Sequence, residues 1–179
     1  MAKTVEDINK TGGFNPYELS WGKEITFPST RTIKEYGNRI YNRYPARSVF
    51  LVPRAILYHQ NHNGLRVLDP FMGSGTTAVE TLLSGNIPYG LEMDPFARLI
   101  SEVSSTVFTN EQLAEINRYY EAVVATWRDF EPSPIPDLDG IGRWFNSGDL
   151  DLLLRLKACI QATIPAPYTD FFLVVFADC

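Results

Sequence analysis

From Val67 to Glu80 the chain reads VLDPFMGSGTTAVE, and this stretch holds the densest set of residues able to do chemistry. Gly73 and Gly75 carry no Cβ, so the backbone can bend sharply there and approach a ligand closely. A helix that starts at Thr76 would aim its unpaired N–H groups and positive dipole end at the same bend, which suits a carboxylate or a phosphate. Glu92 follows Gly75 by seventeen residues, close to the spacing at which an acid accepts hydrogen bonds from ribose hydroxyls. A carboxylate there favours an adenosine-type ligand with a free 2′-hydroxyl. A plainer account, an acid that ends a strand or caps a helix, covers Asp94 before Pro95. For Glu92 the joint occurrence of acid and glycine bend favours the ligand.

Two other nucleotide readings compete for this bend. Gly73, Gly75 and Ala78 satisfy GxGxxA, the fingerprint of dinucleotide folds, so a nicotinamide-dependent oxidoreductase domain is an alternative. Against it, Asp69, Pro70, Phe71 and Met72 stand between the strand and the first glycine, which in dinucleotide folds follows the strand almost directly. A P-loop is excluded, because no GxxxxGK[ST] exists and no lysine stands where the phosphates would lie.

The elements that must hold these residues can be read from punctuation and period. LRVL at 65–68 reads as a strand closed by Asp69 and Pro70. Residues 76–84 read as a helix with Gly85 just past its end, 87–91 as a second strand, and Asp94 with Pro95 opens another helix. Strand, glycine turn, helix and strand form a βαβ unit, the start of a parallel α/β sheet. Upstream, 48–59 reads as a helix interrupted or started by Pro53, and 61–64 as a turn. Downstream, Asn110 is the expected cap of a long amphipathic helix carrying Leu113, Ile116, Tyr120, Val123, Val124 and Trp127. EPSPIPDLDG is a connector; Ser147 or Asp149 then caps a further helix, and Thr169 or Asp170 opens the last, cut off at Cys179.

With 179 residues and 45% hydrophobic content the chain can bury one sizeable core, and no boundary between independent domains is evident. The expected organisation is a partly irregular N-terminal arm over 1–43 and one domain over 44–179. No apolar run approaches the roughly 20 residues of a membrane span, and the start lacks a signal-peptide centre, so no membrane partner and a cytoplasmic location are expected. Cys159 and Cys179 form no metal or disulfide pattern, and no metal is expected. The net charge of −5 argues against gripping DNA by overall charge. The segment from Lys23 to Arg54 is nonetheless basic, with Lys23, Arg31, Lys34, Arg39, Arg43, Arg47 and Arg54 against Glu24 and Glu35. Tyr36, Tyr41 and Tyr44 interleave with them, a composition suited to phosphate contacts and base stacking, or equally to a solvated arm.

The stretch DPFMGSGTT, Asp69 to Thr77, resembles the first conserved motif of the N6-adenine and N4-cytosine DNA amino-methyltransferases. GLEMDPFA, Gly90 to Ala97, resembles their second motif, and YPAR, Tyr44 to Arg47, stands where the family has a segment of the form HPA or YPA. RWF at Arg143 to Phe145 and DFFLVVF at Asp170 to Phe176 resemble pieces of a subgroup of DNA modification methylases. The resemblance covers about residue 40 onward and implies a Rossmann-like methyltransferase fold of the α/β class, its parallel sheet incomplete, with a helical N-terminal arm and C-terminal helices. It implies S-adenosylmethionine as cofactor. Asp69, Pro70, Phe71, Gly73, Ser74 and Gly75 would surround its methionine part, Thr76 and Thr77 would cap and bond nearby, Glu92 with Met93 would hold the ribose side, and Tyr44, Pro45 and Ala46 would complete the methionine side. The physical reading agrees: the ligand is zwitterionic at its amino acid and cationic at sulfur, and Asp69 beside a helix N-terminus can meet both signs of charge.

Members of the family transfer the methyl group with a [DNS]PP[YFW] tetrapeptide that holds the exocyclic amine and stacks on a flipped base. No such tetrapeptide occurs in this sequence. Asn15-Pro16-Tyr17 and Pro165-Ala166-Pro167-Tyr168 come near it and read better as turns, and Asn146 to Asp149, which could pass for the family's third motif, reads better as a helix cap. The expectation is therefore the cofactor-binding part of a restriction-modification or phage DNA methyltransferase, ending before its catalytic motif, with no catalytic residue of its own and inactive alone. Its substrate would be double-stranded DNA with a flipped base, RNA remaining open. A third alternative is a non-catalytic S-adenosylmethionine-binding subunit that pairs with a separate catalytic or specificity segment.

Overall fold

The computed structural model describes residues 49–60 and 63–178. The 1–43 arm, Asn15-Pro16-Tyr17, the basic residues up to Arg47, Tyr44-Pro45-Ala46 and Cys179 lie outside them. The chain divides after Thr106 into two compact units.

The first unit contains α1 (Leu51–Gln60), β1 (Arg66–Asp69), α2 (Thr76–Leu83), β2 (Ile87–Gly90) and α3 (Pro95–Ser105). β1 and β2 pair in parallel, with Arg66 opposite Ile87 and Asp69 opposite Gly90. A mixed helix–sheet architecture with a small parallel sheet is compatible with the α/β class. The pairing is extended at both ends: Ile87 N–H donates to the Leu65 carbonyl at 2.8 Å and Leu91 N–H to that of Asp69 at 3.0 Å. α2 packs against α1, both strands and α3. Its inner face buries Ala78, Val79, Glu80 and Thr81, and α3 presents Ala97, Ile100 and Val103. Asn86 fixes the return from α2: its side-chain oxygen accepts from Leu65 N–H at 2.9 Å and its amide donates to the Ser84 hydroxyl at 2.9 Å. Parallel sheets are ordinarily covered on both faces, yet Leu68 is 62% exposed and Tyr89 50%.

The second unit contains α4 (Asn110–Thr126), α5 (Ser147–Thr163) and α6 (Tyr168–Phe176), with short 3₁₀ turns at Trp127–Asp129 and Ile141–Arg143. Ile116, Val123, Cys159, Ile160, Ile164, Tyr168 and Phe172 form its core, with Phe108, Tyr119, Trp127 and Phe171 packed around it. Cys159 is a buried thiol. The cap of α4 is Thr109, one residue before the expected Asn110. Its hydroxyl accepts from Gln112 N–H while the Gln112 side chain accepts from Thr109 N–H. Asn110 could not close such a reciprocal box, because the residue three positions beyond it is the apolar Leu113. Asn146 rather than Ser147 or Asp149 caps α5, accepting from Asp149 N–H at 2.9 Å. α6 begins at Tyr168, ahead of the expected Thr169 or Asp170. Pro165 to Tyr168 is a turn, as its sequence suggests, closed by Tyr168 N–H on the Pro165 carbonyl at 3.0 Å. The Tyr168 ring is buried and its hydroxyl donates to Glu115, which together with burial raises the phenol above its ordinary value. Among the described residues no helix is long and apolar enough to cross a membrane.

Candidate cofactor site

An acidic residue stands at the end of β1 and another just beyond the end of β2, and the backbone turns away from each by a different device. After β1, the Asp69 carboxylate accepts from Phe71 N–H at 3.0 Å, which folds the chain back over its own strand end. Its other oxygen makes no hydrogen bond among the described residues. Met72 N–H then donates to the Leu91 carbonyl at 3.1 Å, and Gly75 N–H to the Met72 carbonyl at 3.1 Å. Gly73 and Gly75 take positive φ values of 54° and 83°, the left-handed region in which glycine is at ease.

After β2, the Glu92 carboxylate turns toward that bend. Gly73 N–H donates to Oε2 at 2.8 Å and Asp94 N–H to Oε1 at 2.8 Å. The N–H of Asp94, then that of Gly73, hold the carboxyl below its ordinary value of 4.5, so it is ionised at neutral pH. Each oxygen has spent one of its acceptor positions on the backbone and keeps another for a hydroxyl donor. Asp94 does the separate work expected of it, capping α3 through Phe96 N–H at 2.8 Å and Ala97 N–H at 3.3 Å.

The start of α2 differs from the expected arrangement. Its cap is Gly75, with no side-chain cap hydrogen bond; Thr76 is buried at 6% exposure and Thr77 half-buried. Neither threonine caps the helix, so among the described residues no side chain accepts from the first-turn N–H groups. Phe71 and Met93 stand out into solvent, 89% and 98% exposed, while Pro70 is exposed and Ser74 half-buried. The structure therefore brings Asp69, the 73–77 bend and Glu92 together. It leaves Phe71 and Met93 as apolar side chains exposed beside them.

Two supports of the bend escaped the sequence reading. A Cβ on Gly75 would overlap Ser101, whose own Cβ would lie 2.8 Å away and Cα 2.9 Å away, so this glycine makes room for α3 rather than for a ligand. A Cβ on Gly90 would overlap the Met72 thioether, whose sulfur lies 3.1 Å from the Ser101 hydroxyl. Met72 thus fills the space under the bend. The other missed feature is Arg54, which the sequence groups with the basic arm. It is turned inward, 3% exposed, and pairs with fully buried Glu80 on α2, so it is no phosphate contact. An acid on the buried face of a helix was the available signal.

Two known proteins are similar to this chain. The chain is similar to Type II methyltransferase M.MvaI of Kocuria varians, 29% identical over 163 residues that cover 86% of this chain and 36% of that protein. It is also similar to Type II methyltransferase M.MjaII of Methanocaldococcus jannaschii, 31% identical over 103 residues, 56% of this chain and 19% of that protein. The chain thus spans well under half the length of either relative. No family model matches it. No solved structure matches it. Both of these relatives carry the name Type II methyltransferase.

Proposed function

We propose that the chain is the S-adenosylmethionine-binding part of a DNA methyltransferase that modifies the exocyclic amine of adenine or cytosine, in a Rossmann-like fold whose sheet is completed by further strands. The observation that carries the reading is the bond from Gly73 N–H to Glu92, which ties the glycine bend to an ionised acid at the tip of the neighbouring strand.

The residues present fit the cofactor. Glu92 has acceptor positions left for two vicinal ribose hydroxyls, the uncapped first turn of α2 can meet the carboxylate of the methionine part, and the spare oxygen of Asp69 can meet its ammonium. Phe71 and Met93 would gain cover from the apolar parts of the ligand. When bound, the cofactor supplies an electrophilic methyl group on a sulfonium. The chain's own part is to bind, orient and exclude water. Tyr44, Pro45 and Ala46 are proposed to close the methionine side, on the resemblance alone. No [DNS]PP[YFW] tetrapeptide is among the 179 residues, so the groups that hold the amine and the flipped base are proposed to come from a separate segment, and the chain by itself is proposed to be inactive. Exposed Leu68 and Tyr89, register partners on one face of the parallel pair, support a further covering layer over that face.

Calorimetric titration with S-adenosylmethionine and, separately, with NAD tests this reading. Binding of the methyl donor with no comparable binding of NAD is expected. Tight NAD binding without binding of the methyl donor would overturn it in favour of the oxidoreductase alternative that GxGxxA keeps in play.

A further inference from the structure

Arg54 of α1 and Glu80 of α2 meet as a fork: Nε reaches Oε2 at 2.7 Å and a terminal guanidinium nitrogen reaches Oε1 at 3.0 Å. The side chains are 3% and 0% exposed, and the guanidinium lies 4.8 Å over the Phe50 ring. Removing two charges from water is costly, and an apolar pair of similar volume would join the two helices at least as firmly. Stability alone does not account for an ion pair here. A fork offers direction: two parallel N–H···O bonds in one plane resist rotation and axial slip of α2 against α1, which an apolar contact does not.

That direction bears on the glycine bend. Glu80 stands one turn along α2 from Thr76, and its neighbour Val79 donates to the Gly75 carbonyl at 3.0 Å. Any slip of α2 therefore moves Gly75 and the first-turn N–H groups relative to Glu92, and hydrogen bonds to a ligand shared between them weaken steeply once their geometry is lost. On its other side the bend is held by Ser101 against Gly75 and by Met72 against Gly90. Those are close contacts that set distance and leave rotation to the fork.

We infer that Arg54 and Glu80 are positioning residues that fix where the N-terminus of α2 stands relative to Glu92. The inference rests on reading that bend as the S-adenosylmethionine site. The test uses the full chain as wild type, as the paired variant Arg54→Met with Glu80→Leu, and as Arg54→Lys, which keeps the charge and loses the fork. Thermal midpoint, S-adenosylmethionine affinity and hydrogen exchange of the 73–77 amides without ligand are read for each. The paired variant is expected to keep or raise the thermal midpoint, to bind at least tenfold more weakly, and to exchange those amides faster. Wild-type affinity and exchange in the paired variant would overturn the inference. If the paired variant fails to fold, Arg54→Lys decides: weaker binding with faster exchange supports positioning, and a lowered midpoint with unchanged affinity refutes it. Should wild type bind no S-adenosylmethionine, the cofactor reading fails separately, and the exchange of the 73–77 amides still decides whether the fork positions the bend.

Discussion

Gly73 donates its main-chain N–H to the Glu92 carboxylate at 2.8 Å, so the turn after the first strand and the tip of the second are joined directly rather than merely facing each other. The same carboxylate takes Asp94 N–H through its other oxygen. The acid is thereby held in one orientation by two fixed donors before any ligand arrives, which lowers the ordering cost of binding.

Replacing Glu92 with alanine is expected to weaken S-adenosylmethionine binding by about tenfold or more, the scale of losing hydrogen bonds to a charged acceptor. Glu92→Gln is expected to fall between, since it keeps one acceptor oxygen but sets an amide donor against a backbone N–H. Calorimetric titration of the three proteins checks the order.

Acid should erase the contribution of Glu92 to folding. Its carboxyl is held below 4.5 in the folded chain, first by Asp94 N–H and then by Gly73 N–H. The stabilisation is therefore complete above the unfolded value and is lost as pH falls through the depressed folded one. The difference in denaturant midpoint between wild type and Glu92→Gln should shrink as pH falls below about 4.5 and disappear once both states are protonated.

The two buttressing glycines should respond differently to alanine. Gly75→Ala strains a residue at φ 83° and drives a Cβ into Ser101, including its backbone Cα, and should cost about 1–3 kcal/mol that no change of the Ser101 side chain restores. In Gly90→Ala the three atoms nearest the added Cβ all belong to the flexible side chain of Met72. Met72→Ala in the same chain should recover most of that loss, as thermal denaturation of the double variants would reveal.

Asn146→Ala should lower the stability of the second unit by about 1 kcal/mol through loss of the α5 cap, and should leave S-adenosylmethionine affinity unchanged. A large affinity loss would instead make Asn146 to Asp149 part of a ligand site.

Much of this was legible in the sequence because glycine, proline and acidic residues mark the ends of elements for physical reasons. Gly85 and the Asp94-Pro95 pair bracket α2, β2 and the start of α3 where the structure has them. Caps proved harder by a single residue. Thr109 wins over Asn110 because Gln112 stands three residues on and can answer it, a reciprocity that the ranking of cap residues by type does not contain. The purpose of Gly75 was not legible, since the atom that forbids a side chain belongs to Ser101, twenty-six residues away. Arg54 and Glu80 are likewise twenty-six residues apart, and only the packing of α1 on α2 reveals that they meet. The nearness of Glu92 to the glycine bend could be read from spacing because a parallel βαβ unit fixes where two successive strand tips lie.

Whether the Gly73 bend and Glu92 together hold S-adenosylmethionine is decided by the amide resonances of the nitrogen-15-labelled full chain during titration with that ligand. The Gly73, Gly75, Thr76 and Glu92–Asp94 amides are expected to shift together along one saturable curve, and NAD at the same concentrations to leave them in place. Saturable binding that moves other amides and leaves Gly73 and Glu92 undisturbed would contradict it.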